Sequence, residues 1–200
     1  MKIPQIKICG VNDARFAAEA ERLGADYVGV IFAERSPRRV TVEKAREIAN
    51  ALSGSAKLVA VFGASSVADV AAMARLVGSK TVQLHRRASA ADVAELRKEG
   101  FEVWALAGGA PADALLFDSS HGDGETMIRK GPWKTVLAGG IGVDNIADAV
   151  KSGADVIDAS GSLEIAPGVK DVKRLLDFMN AFRTATTATG ETRQGGCFLL

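Results

Sequence analysis

A closed (β/α)8 barrel is the fold the sequence predicts, on three observations. Eight short β-rich runs, apolar on both faces, recur along 200 residues, as strands of a buried parallel sheet do. Amphipathic helical patterns separate most of them. A joint of helix, closing glycine, Ala-Asp and strand is used more than once, in "LGADYVGV" and "SGADVIDA". An open doubly wound sheet is the main alternative, but it ordinarily carries a glycine-rich dinucleotide loop after its first strand. Here that place reads "CGVNDA", which is no G-x-G-x-x-G, so the barrel is preferred.

The expected strands are Ile6 to Cys9, Tyr27 to Phe32, Lys57 to Phe62, Thr81 to Leu84, Glu102 to Leu106, Ala114 to Phe117, Thr135 to Ala138 and Asp155 to Asp158. In the first helical pattern, "DARFAAEAERLG", Phe16, Ala17, Ala20 and Leu23 share one face, while Arg15, Glu19 and Arg22 turn mostly to water. "VEKAREIANALSG" forms the second. Gly24, Gly78, Gly100 and Gly153 each follow a helix, where a left-handed residue ends it. Two crossovers are short: "AGGAPAD" leaves no room for a helix between strands five and six, and "SSHGDGETMIRKGPWK" allows barely two turns. A last helix is expected over Lys170 to Arg183, with its apolar stripe at Val172, Leu175, Leu176 and Met179. The barrel domain is thus placed at 1–183. The aperiodic segment 184–200 is expected to be a disordered tail. Its end, Cys197 to Leu200, formally matches a prenylation box and is read as a chance match.

Twenty-five basic and twenty-four acidic side chains give no global attraction for nucleic acid or an anionic membrane. Sparse aromatics offer no base-stacking platform, and no apolar run reaches a membrane span. Two cysteines, at opposite ends of the chain, make no disulfide framework, which fits a reducing, cytoplasmic setting. With His85 and His121 the only histidines, no His-rich metal site is expected.

Function in such a barrel gathers at the C-terminal ends of the strands. Gly139 and Gly140 end strand seven, and "ASGS", with Ser160 and Gly161, follows strand eight. Their amides and hydroxyls suit a phosphate group, with Asp144 or Asn145 capping the next helix. Asp118 ends strand six; the residues alone fit either a general acid at the rim or a turn aspartate. Cys9 ends strand one, and reads as a small buried hydrophobe or as a thiolate base. "ERSPRR" carries Arg35, Arg38 and Arg39 near the mouth, where an arginine can grip a carboxylate with two parallel hydrogen bonds. His85 suits an orienting role.

The markers "KICG", "GADYVGVIFAERSPRR", "VQLH", "LLFDSS", "LAGGI" and "PGVKD", in this order and spacing, resemble the phosphoribosylanthranilate isomerase family of tryptophan biosynthesis from Lys7 to about Arg183. The resemblance implies a (β/α)8 barrel that performs an Amadori rearrangement of N-(5-phosphoribosyl)anthranilate without a cofactor. It implies Cys9 as general base and Asp118 as general acid, on strands expected to face each other across the mouth. It assigns Arg38 to the anthranilate carboxylate, and Gly140 and Ser160 to the phosphate. The implied partner is a small phosphorylated substrate, and the chain is expected as a monomer or homodimer. Three departures from the family pattern stand out: Glu125 where a lysine is expected, Gly161 and Ser162 exchanged, and Arg86 in place of a glycine. They keep open a divergent phosphosugar isomerase or epimerase, or a non-catalytic phosphate-ligand binder.

Overall fold

The computed structural model describes residues 2–119 and 128–188. Eight parallel strands close into a barrel in sequence order: β1 (Gln5–Cys9), β2 (Tyr27–Ile31), β3 (Lys57–Phe62), β4 (Thr81–Leu84), β5 (Glu102–Leu106), β6 (Ala114–Asp118), β7 (Lys134–Ala138) and β8 (Val156–Ala159). β8 closes on β1 in a register that sets Lys7 beside Asp158. The helices on the outside are α1 (Ala14–Arg22), α2 (Val42–Ala51), α3 (Val67–Leu76), α4 (Ala90–Lys98), α5 (Ile146–Lys151) and α6 (Val172–Ala188). Asp13, Thr41, Ser66 and Ser89 cap the first four, each accepting a backbone N–H of the first turn. Gly24, Gly78, Gly100 and Gly153 all take the left-handed backbone expected after a helix. Among the described residues no helix is long and apolar enough to cross a membrane.

Strand alternation divides the core in two. Ile6, Ile8, Val28, Val30, Ala60 and Phe62 face the helices. Cys9, Tyr27, Val59, Val61, Trp104, Leu116 and Val136 fill the barrel. Tyr27 and Trp104, from early in β2 and β5, meet edge to face at 4.9 Å and plug the N-terminal end. The interior is therefore packed by these side chains, and a cavity lies above them, where the strands end.

As expected, residues 107–113 join β5 to β6 without a helix. Most of the sixth crossover, with His121 and the Gly122 to Glu125 departure, lies outside the described residues, as does 189–200 with Cys197 to Leu200. The C-terminal reading needs three corrections. Lys170 belongs to β10 (Val169–Lys170), which pairs antiparallel with β9 (Glu164–Ala166) in a small hairpin before α6. α6 runs on to Ala188, so the first five residues of the expected tail are helical. Its buried stripe is Leu175, Phe178, Met179, Phe182 and Thr186, whereas Val172 and Leu176 are exposed. That stripe keeps helical spacing through Thr186, which is why the helix outlasts the apolar residues used to bound it.

Candidate functional site

A cavity of about 610 Å³ opens at the C-terminal end of the barrel. All seven residues expected to form the site line it: Cys9, Arg38, Asp118, Gly139, Gly140, Ser160 and Gly161. β1 and β6 are not diametrically opposite, however. In the closed order they are separated by β8 and β7, so Cys9 and Asp118 flank a shorter arc than expected.

Cys9 is a free thiol, 6 % exposed, at the last position of β1. Two residues earlier on the same face lies Lys7, fully buried, with Nζ 2.6 Å from Asp158 Oδ2. Removing one partner of such a buried pair typically costs about 3–5 kcal/mol. Burial pushes the Cys9 thiol up; Lys7 and, more weakly, Lys170 pull it back down, while Asp158 opposes them, and the balance stays above the ordinary value. Burial likewise holds Asp158 up against the pull of Lys7. Its second oxygen, Oδ1, has no hydrogen-bond partner, and neither has Oε1 of buried Gln83 on β4. Asp118 ends β6 with its side chain largely covered, its Oδ2 3.9 Å from His85 Nε2. His85 in turn has Nδ1 3.5 Å from Gln83 Nε2, which fits the orienting role expected of it.

The arginine loop behaves differently from the expectation. Arg35 and Arg39 are exposed, and Arg38 alone turns into the cavity. There its Nε and Nη2 donate to both oxygens of Glu164, at 2.6 and 2.8 Å. The Nε–Nη2 fork is thus occupied by the protein's own carboxylate. Three of the five guanidinium N–H bonds remain for a ligand. Lys170 Nζ joins the same carboxylate at 2.8 Å and also donates to the Ser160 carbonyl at 2.9 Å. Although burial opposes it, this bonding holds Glu164 down at about 2.

The two loops expected to hold a phosphate are narrower in chemistry than the sequence implied. Ser160 Oγ donates to the Cys9 carbonyl at 3.0 Å and accepts from Lys170 Nζ at 3.3 Å, and Ser162 Oγ donates to the Ile141 carbonyl. Both hydroxyls tie loops together, so what these loops offer a ligand is backbone. Gly139 and Gly140 have φ of 93° and 64°, a conformation side chains resist. A methyl at Gly139 would lie 2.7 Å from Asp118 Oδ1. Asn145 does not cap α5 with its side chain; it braces the glycine turn instead, accepting from Gly142 N and donating to Gly140 O. Arg86, one of the departures, pairs with Asp92 at the start of α4, away from the cavity. Among the described residues, no three His, Cys, Asp or Glu side chains are grouped to hold a metal ion.

A family model described as N-(5'-phosphoribosyl)anthranilate isomerase matches residues 6–181. The chain belongs to that family. Its relatives of the same description include proteins from Erythrobacter litoralis, 32% identical over 90% of this chain and 99% of the other. Another, from Rubrobacter xylanophilus, is 34% identical over 90% and 99%. Among solved structures, the crystal structure of TrpF from Jonesia denitrificans aligns with a TM-score of 0.80 at 28% identity, covering 91% of this chain and 98% of that one. With this isomerase family established, the residues that sequence reasoning left without a role are Lys7, Gln83 and Lys170. Lys7 had a legible signal, its two-residue spacing from Cys9. Lys170 had one too, the Pro167-Gly168 turn between two short β-prone runs, which pairs Lys170 with Glu164 across a hairpin but was read as the approach to the last helix.

Proposed function

We propose that this chain is a phosphoribosylanthranilate isomerase, acting in tryptophan biosynthesis on N-(5'-phosphoribosyl)anthranilate by general acid–base catalysis. The observation that carries the reading is that Cys9 and Asp118 open onto one cavity, with two glycine-bearing loops beside them, in a chain of this family. Asp118 delivers a proton to the ribose ring oxygen as the C1–O bond breaks, leaving an iminium between C1 and the anthranilate nitrogen. The Cys9 thiolate removes the C2 proton, and the electron pair forms the C1–C2 double bond and neutralises the nitrogen. The enolamine then gains a proton at C1 and loses its hydroxyl proton at C2. The product is 1-(2-carboxyphenylamino)-1-deoxyribulose 5-phosphate, and the chemistry needs no cofactor.

Backbone amides at Gly139, Gly140, Ser160 and Gly161 hold the phosphate, whose charge suits turned-out N–H groups. Arg38 meets the anthranilate carboxylate with the N–H bonds that Glu164 leaves over. The occupied fork makes this a one-sided contact, with Glu164 fixing the plane of the guanidinium.

The test is the decay of anthranilate fluorescence when substrate is generated in situ from anthranilate and phosphoribosyl pyrophosphate. Fast decay that falls by about 10²–10⁴ in Cys9→Ala and in Asp118→Ala, both still folded, is the expected result. Tight binding of a substrate analogue without turnover would instead favour a phosphate-ligand binder.

A further inference from the structure

The isomerase reading leaves the buried charge of Lys7 unused. Lys7 is fully covered within the barrel, and its ammonium is bonded to Asp158, which lines the cavity together with Cys9. Its place is set three times over. Strand alternation puts it on the same face of β1 as Cys9. The β1–β8 register sets it beside Asp158. The β1–β2 register then sets Cys9 beside Gly29, the one residue of β2 without a side chain. A methyl on Gly29 would lie 2.9 Å from Cys9 Sγ and 3.2 Å from Lys7 Cε, so the sulfur and the end of the lysine stem share the space the glycine leaves.

We propose that Lys7 is the positioning residue of the Cys9 base: its ammonium, anchored by Asp158, is the cation against which the Cys9 thiolate forms. The proposal rests on the reading of Cys9 as base and deepens it. Charge counting supports it. In the ion pairs beside Cys9 three cations, Lys7, Lys170 and Arg38, stand against two carboxylates, Asp158 and Glu164, with Asp118 outside these pairs on β6. A thiolate at Cys9 makes that count even. Lys7 is nearer to it in effect than Lys170, whose ammonium is already divided between Glu164 and Ser160. Arg38 is spent largely on Glu164. From β6 and the end of β4, Asp118 and His85 act on Asp158 in opposite senses, the carboxylate repelling and the imidazole attracting its charge. Asp158 is therefore both anchor and competitor: it holds the ammonium in place and takes part of its field from the sulfur.

This double role yields a test that a purely structural ion pair would not pass. In a Cys197→Ser background Cys9 is the only thiol. The pH dependence of its alkylation by iodoacetamide reads thiolate directly, without turnover. Lys7→Met is expected to move the alkylation midpoint up by about one to three pH units and to carry the acid limb of kcat/KM with it. Asp158→Asn, nearly the same shape, is expected to move the midpoint the other way, because the competitor for the ammonium is gone. An unchanged midpoint in either folded variant, or shifts of the same sign in both, would overturn the proposal and leave Lys7 a counter-ion for Asp158 alone. If Lys7→Met does not fold, Lys7→Gln is read in its place, and a midpoint that fails to rise overturns the proposal. Full turnover by Cys9→Ala would overturn the base reading itself, and it is recorded in the separate fluorescence assay, so the two failures are not confused.

Discussion

Gly10 shows how tightly single residues are fitted around Cys9. It follows Cys9 with φ of 70°, and a methyl there would lie 2.4 Å from Arg38 Cδ and 3.2 Å from Ser160 Oγ. Gly10→Ala is therefore expected to cost about 1–2 kcal/mol from the backbone alone and to push Arg38 off Glu164. Arg38→Met removes the same guanidinium without backbone strain. Both are expected to raise KM more than they lower kcat, and an unchanged KM in steady-state kinetics would count against a substrate contact by Arg38. "CG" at a strand end was readable as a tight approach to something. That the something is an arginine side chain from the next βα loop was not, because the contact depends on how far β1 and β2 are staggered.

At the level of elements, the repeated joint explains itself only in three dimensions. Asp26, Asp113 and Asp155 each follow an alanine just before a strand, and each carboxylate accepts the N–H near the start of the preceding strand: Ile6, Val103 and Thr135, at 2.7, 2.7 and 2.9 Å. The aspartate is a clasp between neighbouring strands at the floor of the barrel, and "PADALL" is a third copy that the glycine-based pattern passed over. Glu21 does similar work between elements, accepting from Ser53 N, Gly54 N and Ala56 N beyond the end of α2. Despite the opposing effect of burial, these bonds hold it at about 2, against an ordinary 4.5. A folded-state value below the unfolded one means stability that is complete above about pH 4.5 and is lost as pH falls toward 2. Glu21→Gln is expected to destabilise the fold by about 2–3 kcal/mol at pH 7, a difference that shrinks through that acid window. Urea unfolding at pH 7 and pH 3 measures it; an equal loss at both would refute the charge-based account. The amphipathic pattern of α1 had placed Phe16, Ala17, Ala20 and Leu23 inward, as they are, but it assigned no place to this buried acid.

For the whole molecule, α6 is the element that ties the ends of the chain together. It packs against α5 and α1, and Arg183 Nη2 donates to the Leu23 carbonyl at 2.7 Å. Ala185 and buried Thr186 extend its inner face past the boundary expected at Arg183. Truncation after Arg183 is expected to cost about 1–2 kcal/mol, which for a chain of this size lowers Tm by roughly 2–8 °C. A Tm equal to that of the full chain would mean that 184–188 contribute nothing to the barrel.

The barrel, its strand order and the residues at its mouth were legible from the chain, because alternating periods, closing glycines and strand-end positions are local signals that each β/α unit repeats. The family markers rest on the same local ground. What no local pattern carries is the register between strands and the reach of side chains across loops. Those place Lys7 beside Asp158, commit the Ser160 hydroxyl to the Cys9 carbonyl, and give one edge of Arg38 to Glu164. Each joins residues more than a hundred positions apart, whose meeting depends on how the barrel closes rather than on any segment that closes it.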